Sequence, residues 1–155
     1  MFSPAADYTL RAHYRQEFGR LQGEFESNGS GTATVRDRAG VVDKLVLQLW
    51  EQHVATRAGS GFALVALGGF GRCALFPHSD VDLLFLAENE AQRARTKEPV
   101  GNLCQEMWDI GLRVSPTTRT LEDCARFDQD NVEFTISLLD CRFLTGEAAL
   151  FERLR

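Results

Sequence analysis

Two short apolar segments joined by a glycine-rich turn constrain this chain more than any other feature. Residues 62–67 are all apolar and run directly into a Gly-Gly-Phe-Gly-Arg turn at residues 68–72. A second apolar segment, residues 81–86, follows Ser79 and Asp80. Apolar runs of this length between turn residues are typical of buried strands. The pattern therefore predicts two strands of one sheet, with glycines ending the first and an Asp-x-Asp motif beginning the second.

The Asp-x-Asp motif consists of Asp80 and Asp82. Because side chains alternate along a strand, both carboxylates are expected on one face, with Val81 and Leu83 pointing to the core on the other. Adjacent carboxylates repel each other unless a cation lies between them. Oxygen ligands suit Mg²⁺, which commonly shares its coordination with substrate phosphates. We therefore expect Asp80 and Asp82 to be catalytic and to bind two Mg²⁺ ions, which orient an attacking hydroxyl for in-line displacement.

The glycines predict the other half of a nucleotide site. Gly68 and Gly69 let backbone N–H groups approach phosphate oxygens without an intervening side chain. Ser79 and Arg72 are also predicted to bind the nucleotide, although Arg72 is equally suited to pair with an aspartate of the motif or to lie at the surface. Alone, a Gly-Gly-x-Gly segment is usually a turn and an Asp-x-Asp pair is usually solvated. Core packing does not require both motifs on consecutive apolar strands, so their combination favours a functional site.

Periodicity and capping residues predict the remaining elements. Pro116 indicates that the third strand lies at a sheet edge, Thr120 and Asp130 are expected helix N-caps, and Gly146 is expected to end the last complete helix. The chain is predicted to comprise a helical or irregular segment (1–34), a core (35–146) and the start of a further, truncated helix (147–155). The predicted helices span residues 8–25, 35–57, 98–110, 120–127 and 132–144, and the third strand spans residues 112–118.

Composition excludes several classes of protein. A net charge of −5 without a basic block argues against nucleic-acid binding. The chain shows neither a signal pattern nor an apolar run of membrane-spanning length, which predicts a cytoplasmic protein that does not bind membranes. The cysteines are widely spaced, so buried free thiols are expected rather than disulfides or a zinc site: Cys73, Cys104, Cys124 and Cys141.

The motifs at residues 63–72 and 76–84 resemble those of the nucleotidyltransferase superfamily with a DNA polymerase beta-like palm. Trp108-Asp109-Ile110-Gly111-Leu112, Arg119-Thr120 and residues 138–146 extend the resemblance, more narrowly, to the N-terminal region of bacterial PII uridylyltransferase/uridylyl-removing enzymes. The resemblance implies an α+β fold, with a small mixed sheet flanked by helices.

The same resemblance implies an activity, which is the transfer of UMP from UTP to a tyrosine of the trimeric PII signalling protein with release of pyrophosphate. Gly68 and Gly69 would hold the triphosphate, and Asp80 and Asp82 would bind the metals. Enzymes of this family also carry phosphohydrolase and ACT domains. Neither fits within 155 residues, so removal of the modification and glutamine sensing are not expected here.

The chain departs from the family pattern at three places. Ala74 stands where the family usually has Glu, and Ser115-Pro116-Thr117 stand where it usually has Gly-His-Ser. The third strand also lacks the carboxylate that many members carry there, and Asp109, Glu122 and Asp123 are only near in sequence.

Other activities therefore stay open. One is a nucleotidyltransferase that transfers AMP to a protein or small molecule, and another is a degenerate nucleotide-binding regulatory module. An aspartate-phosphorylating phosphatase is disfavoured, because Leu83 and Leu84 follow the motif and a Gly-Gly strand precedes it.

Overall fold

The computed structural model describes residues 4–126 and 129–155, which form a four-stranded mixed sheet between two groups of helices. The strand order is β3-β2-β1-β4; β1 is antiparallel to both neighbours, and β2 is parallel to β3. The α+β fold with a small mixed sheet is thereby confirmed. The strands are β1 Phe62–Ala66, β2 Val81–Ala87, β3 Val114–Thr120 and β4 Arg142–Gly146.

Helices cover both faces of this sheet. The long helices α1, α2 and α5 pack on one face, and α6, α7 and α8 surround the smaller core on the other. Helix α5 connects the parallel strands β2 and β3, as a parallel pair requires a crossover. The helices are α1 Pro4–Asn28, α2 Gly31–His53, α3 Ala55–Ala58, α4 Gly68–Gly71, α5 Glu90–Ile110, α6 Leu121–Ala125, α7 Val132–Ser137 and α8 Ala148–Leu154.

The central strands are buried on both faces, which explains why their sequences are continuously apolar instead of alternating. On β2, Leu83 and Phe85 belong to the larger core, whereas Leu84 and Leu86 belong to the smaller one. In the larger core Phe85 stacks on Phe62, with ring centroids 6.4 Å apart. The start of β2 is thus held from both sides of the sheet.

Strand β3 is at the sheet edge, as Pro116 predicts. Pro116 is exposed and pairs with Leu83 of β2, and β3 has no second neighbour among the strands that the structure describes. An edge strand tolerates a residue without an N–H group because one of its sides faces solvent. The strand lies two residues later than predicted, over residues 114–120 instead of 112–118.

The prediction of one continuous helix over residues 132–144 is wrong. Helix α7 ends at Ser137, a 3₁₀ turn spans Leu138–Asp140, and β4 follows. The free edge of β1 explains the difference, because Phe143 pairs with Val65 and Arg142 with Ala66 across the sheet. Gly146 closes this strand rather than a helix.

Helix boundaries also differ from the prediction. Helix α1 extends beyond residues 8–25, and α2 begins at Gly31 because the Ser30 hydroxyl accepts a hydrogen bond from the Ala33 amide at 3.3 Å. Helix α5 begins at Glu90, not residue 98, because the Asn89 side chain caps it by accepting a hydrogen bond from the Gln92 amide.

The caps of the two short helices give one confirmation and one correction. Thr120 caps α6 as predicted, in a reciprocal capping box with Asp123. Helix α6 ends at Ala125, and residue 127, where the helix was predicted to end, lies outside the described residues. Asn131, not Asp130, caps α7, since its side chain accepts a hydrogen bond from the Phe134 amide. Helix α8 occurs where a further helix was predicted.

Among residues 4–126 and 129–155, none of the helices combines the length and the apolar character that crossing a bilayer requires. The same residues hold all four cysteines as free thiols, of which Cys104 is buried and the other three are half-buried. Burial raises the pKa of the Cys104 thiol to about 11.

The close approach at Gly146 yields a test of this topology. Gly146 has φ +98°, and an added Cβ would lie 2.5 Å from the Phe62 carbonyl oxygen of β1. We expect Gly146→Ala to lower the free energy of unfolding by about 2 kcal/mol, from backbone strain and overpacking together. The control, Gly101→Ala in α5, meets no atom within 4 Å and should raise it by about 0.5 kcal/mol. Urea unfolding measures both, and equal effects would contradict the β1–β4 pairing.

Candidate active site

Asp80 and Asp82 lie at the start of β2, where the strand leaves the turn that follows α4. Asp82 is on the face that carries Leu84 and Leu86 of the smaller core, since these residues alternate with Val81 and Leu83 of the larger core. Asp80 precedes the strand and is exposed, whereas Asp82 is half-buried. The two carboxylates thus occupy the open end of a face that is otherwise covered by helices.

Ser115 of β3 lies beside both aspartates. Its backbone pairs with Asp82 in the parallel register, and its hydroxyl donates a hydrogen bond to Asp80 Oδ2 at 3.0 Å. Sequence reasoning missed this contact because the parallel pairing of β2 with β3 depends on the crossover through α5. Ser115 occupies the strand on which many superfamily members carry a third carboxylate, and here it supplies a hydroxyl donor instead.

Gly68 lies directly against the Asp82 carboxylate. A Cβ added at Gly68 would be 3.1 Å from Asp82 Oδ2, and the residue has φ +55°. The adjacent Leu67 amide donates to the Asp82 carbonyl at 3.0 Å, so β1 and β2 hold the two positions in register. Only glycine fits this position without strain. The structure therefore brings together the two motifs that the sequence analysis predicted to act jointly.

Gly68 and Gly69 form the first turn of α4. The first amides of a helical turn have no carbonyl partner within the turn, so their N–H groups are available to an acceptor. A Cβ at Gly69 would lie 3.0 Å from the Ala74 carbonyl oxygen, a contact that disfavours larger residues there. The turn thus presents bare backbone next to Asp82, as a phosphate-binding segment requires.

The electrostatics of the carboxylate pair favour a bound cation. Burial raises the pKa of Asp82 above its ordinary value of 3.8, and the negative charge of Asp80 raises it further. Both effects penalise the ionised pair in the folded protein, and a cation between the oxygens removes the penalty. Two carboxylates and a hydroxyl form an oxygen donor set that fits Mg²⁺.

The protein contributes few metal ligands of its own. In the described part of the chain, no group of three or more His, Cys, Asp or Glu side chains is arranged to hold a metal ion. Asp80 and Asp82 would thus leave most coordination positions to phosphate oxygens and water, which is the usual state of Mg²⁺ in phosphate-handling sites.

Arg72 and Ser79, both predicted to bind nucleotide, are less closely tied to the carboxylates. Arg72 forms an ion pair with Asp140 (Nη1 to Oδ2, 2.5 Å), which excludes its pairing with Asp80 or Asp82 in this structure. Its side chain is 56% exposed at the rim of the turn, within reach of incoming ligands. Ser79 is exposed in the preceding turn, where its amide donates to the Phe76 carbonyl at 3.0 Å.

Arg142 of β4 holds the glycine turn in place and was missed by sequence reasoning. Its guanidinium makes two hydrogen bonds to Asp43 of α2, each 3.0 Å long. It also donates to the carbonyls of Phe70 and Gly71, at 2.9 Å and 3.2 Å, and lies over the Phe70 ring. Arg142 thereby ties α4 to α2 and β4. The residue was part of a recognised motif, but that motif was interpreted as helix.

The 3₁₀ turn before β4 packs closely on α4. A Cβ added at Gly71 would lie 1.9 Å from the carbonyl oxygen of Asp140, so any side chain there displaces one backbone from the other. The ion pair between Arg72 and Asp140 crosses the same contact. Gly71 is therefore required by packing, in contrast to Gly68, which is required by its contact with Asp82.

This sheet, with a glycine turn at one strand end and paired aspartates on the next strand, is consistent with an α+β nucleotidyltransferase fold. No family model matches the chain. The chain is 35% identical over 138 residues to a bifunctional uridylyltransferase/uridylyl-removing enzyme of Nitrosospira multiformis, and 33% identical over 159 residues to that of Azospirillum brasilense. A third enzyme of the same name, from Cupriavidus metallidurans, is 37% identical over 137 residues.

These alignments cover 86%, 98% and 87% of the chain, respectively, but only 15%, 17% and 15% of the three relatives. The chain thus belongs with one segment of the bifunctional uridylyltransferase/uridylyl-removing enzymes, and the resemblance drawn from its motifs is confirmed. It spans about one sixth of the length of these relatives.

The raised pKa of Asp82 predicts a stabilising substitution. Burial and the charge of Asp80 raise the pKa of Asp82 in the folded chain only, so in metal-free buffer at pH 7 this carboxylate destabilises the folded state relative to the unfolded one. We expect Asp82→Asn to raise the free energy of unfolding by about 0.5 kcal/mol, the size typical of partly exposed charges. The gain should shrink as the pH falls through the raised pKa of Asp82 towards the ordinary value of 3.8, because protonation removes the charge that burial and Asp80 penalise.

Chemical unfolding in EDTA at several pH values measures this gain. The control, Asp37→Asn on the exposed surface of α2, removes the same charge away from the site. A loss of stability in Asp82→Asn at pH 7 would contradict the electrostatic account of the pair.

The ion pair between Arg142 and Asp43 yields a second prediction for the site. Each partner is about one-quarter exposed. We expect Arg142→Gln and Asp43→Asn each to lower the free energy of unfolding by about 1 to 3 kcal/mol, and the double variant to lose less than their sum by at least about 1 kcal/mol. Arg142→Lys should not restore full stability, because an ammonium cannot reproduce the forked geometry. Additive losses in the double-mutant cycle would rule out the coupling.

Proposed function

We propose that this chain is a metal-dependent nucleotidyltransferase that transfers UMP from UTP to a tyrosine hydroxyl of a PII signalling protein, with release of pyrophosphate. The observation that carries the proposal is the contact of the Asp82 carboxylate with Gly68, beside an Asp80 that Ser115 holds in position. The turn after β1 and the start of β2 thereby place a pair of carboxylates next to exposed backbone amides at the same end of the sheet.

Each site residue has a role in this proposal. Asp80 and Asp82 hold Mg²⁺, and the amides of Gly68 and Gly69 bind triphosphate oxygens. When bound there, Mg²⁺ would lower the charge on the phosphates and stabilise the charge that develops during displacement. Ser115 orients the Asp80 carboxylate through its hydrogen bond, and Arg142 fixes the turn that carries the glycines. Arg72, at the rim of this turn, is placed to meet the triphosphate if it exchanges its partner Asp140.

The reaction is a displacement at the α-phosphorus of UTP. The tyrosine oxygen forms a bond to this phosphorus, the bond to the bridging oxygen breaks, and pyrophosphate leaves with the electron pair. The hydroxyl proton passes to water. Catalysis of such a reaction rests chiefly on positioning and on electrostatic stabilisation, both of which a rigid carboxylate pair and backbone amides provide.

The choice of UMP follows from the name of the relatives, which are uridylyltransferase/uridylyl-removing enzymes. Identity of 33 to 37% extends over 86 to 98% of the chain, which favours a shared reaction. The PII acceptor and UTP come with the resemblance and are part of the proposal.

A degenerate nucleotide-binding module is the second candidate. It is favoured by the small number of protein ligands, since Ser115 stands on the strand where a third carboxylate is common, and by Ala74 in place of the usual Glu. Such a module would retain Mg²⁺-dependent binding of UTP at Gly68 and Gly69 and would lack turnover.

The test is Mg²⁺-dependent transfer of UMP from labelled UTP to PII. We expect the unmodified chain to transfer UMP and Asp80→Asn/Asp82→Asn to lose at least 99% of this activity while keeping its circular dichroism spectrum. The control, Asp37→Asn/Asp109→Asn, removes the same charge from two exposed positions and should retain activity.

The possible results separate the candidates. UTP binding that requires Mg²⁺, without transfer, would support the degenerate module. Transfer from ATP in preference to UTP would replace the nucleotide but keep the reaction class. An absence of both nucleotide binding and transfer would contradict the site assignment.

A further inference from the structure

A groove of about 870 Å³ lies between α1, α2 and the loop that leads to Asp80. Its volume falls within the range of sites that bind small molecules or peptide segments. Helix α1 contributes Arg15, Phe18 and Phe25 to the lining, α2 contributes Arg38, and the loop contributes Phe76 and His78. The groove is outside the proposed catalytic site and has no role in the reaction described above.

The lining of this groove is apolar, with large side chains partly open to solvent. Phe76 is 60% exposed and Phe25 is 45% exposed, although both are bulky aromatic residues. Phe18 lies under the Arg38 guanidinium, 4.8 Å from it. Grouped exposed aromatic residues of this kind commonly mark an interaction surface.

The charged groups of the groove are all cationic or basic. Arg15, Arg38 and His78 line it, and none of its lining residues is Asp or Glu, although the whole chain has a net charge of −5. In the described ranges, neither arginine has a carboxylate within 4.0 Å. A partner that brings carboxylates is therefore complementary to this surface.

Arg38 of this groove has a hydrogen-bond donor that lacks an acceptor. One of its terminal nitrogens donates to the Pro77 carbonyl at 3.1 Å, but its Nε is buried without a hydrogen-bond partner. A buried donor without an acceptor lowers the stability of the folded chain. A carboxylate in the groove is complementary to the Arg38 guanidinium as a whole, since it accepts charge-assisted hydrogen bonds.

The groove ends next to the carboxylate pair. His78 is two residues before Asp80, so their Cα atoms lie within about 7 Å of each other. The helices α1 and α2 that form the groove pack on the larger core, on the face opposite to Asp82. A chain that lies in the groove thus reaches the carboxylates by passing over the sheet end at Asp80, and it leaves the Gly68-Gly69 turn free for triphosphate.

We propose that this groove docks the acceptor protein, by binding a surface segment that combines carboxylates with bulky apolar side chains. This inference rests on the proposed function, because it assigns the acceptor of that transfer to a defined surface. Carboxylates of the segment face Arg15 and Arg38, and its apolar side chains pack among Phe18, Phe25 and Phe76. Docking there holds a neighbouring tyrosine close to Asp80 and Asp82.

The test measures binding of fluorescently labelled PII to the chain by anisotropy, separately from turnover. We expect Arg15→Glu and Phe76→Ser each to raise the Kd for PII at least tenfold, with an unchanged Kd for Mg²⁺-UTP. Arg36→Glu is the matched control, since Arg36 is exposed on α2 but does not line the groove. In transfer assays the two groove variants should raise KM for PII without changing kcat or KM for UTP.

Each alternative occupant has its own outcome. Unchanged PII binding in both groove variants, or no PII binding by the unmodified chain, would overturn the proposal. Weakened UTP binding in Arg15→Glu would assign the groove to nucleotide, and a dimer that dissociates in Arg15→Glu would assign it to a second copy of the chain; both results overturn the proposal. PII binding that is lost in the groove variants, without transfer by any variant, would support docking and refute the proposed reaction.

Discussion

The partial burial of the Asp82 carboxylate beside the charge of Asp80 is the interaction around which this fold is organised. Burial and the charge of Asp80 together raise the pKa of Asp82, so the folded chain bears an electrostatic penalty in the absence of a cation. The Asp82 carboxylate also closely approaches the backbone of Gly68, where a Cβ would be 3.1 Å from its oxygen. Two neighbouring carboxylates lower the stability of the folded chain when no cation is bound. Together with the accessible backbone amides of the glycine turn, they are well suited to hold Mg²⁺ and phosphate.

The rest of the fold keeps these groups in place. Apolar cores on both faces of the sheet hold β1 and β2, whose ends carry the glycines and the aspartates. Arg142 links the glycine turn to α2 through Asp43 and two backbone carbonyls, so the turn does not depend on its own short helix for rigidity. Preorganisation of this kind is the main means by which enzymes stabilise displacement at phosphorus.

The sequence predicted the parts of this site that are local and missed those that depend on strand pairing. Gly68, Gly69, Asp80 and Asp82 were found because a turn and a period of two are visible along the chain. Ser115 was not, because its contact with Asp80 requires the parallel register of β2 and β3. β4 was mistaken for helix, since Asp130 and Gly146 were interpreted as the start and stop signals of one helix, and only the open edge of β1 makes a strand favourable there.

The most direct test of the metal-nucleotide site is paramagnetic broadening of the backbone amide signals by Mn²⁺ in place of Mg²⁺, with and without UTP. We expect the amides of Gly68, Gly69, Asp82 and Ser115 to broaden first. UTP should strengthen the effect at the two glycines, and Asp80→Asn/Asp82→Asn should abolish it. Broadening that starts at acidic residues elsewhere, or that persists in the double variant, would contradict the assignment of Asp80 and Asp82 as metal ligands.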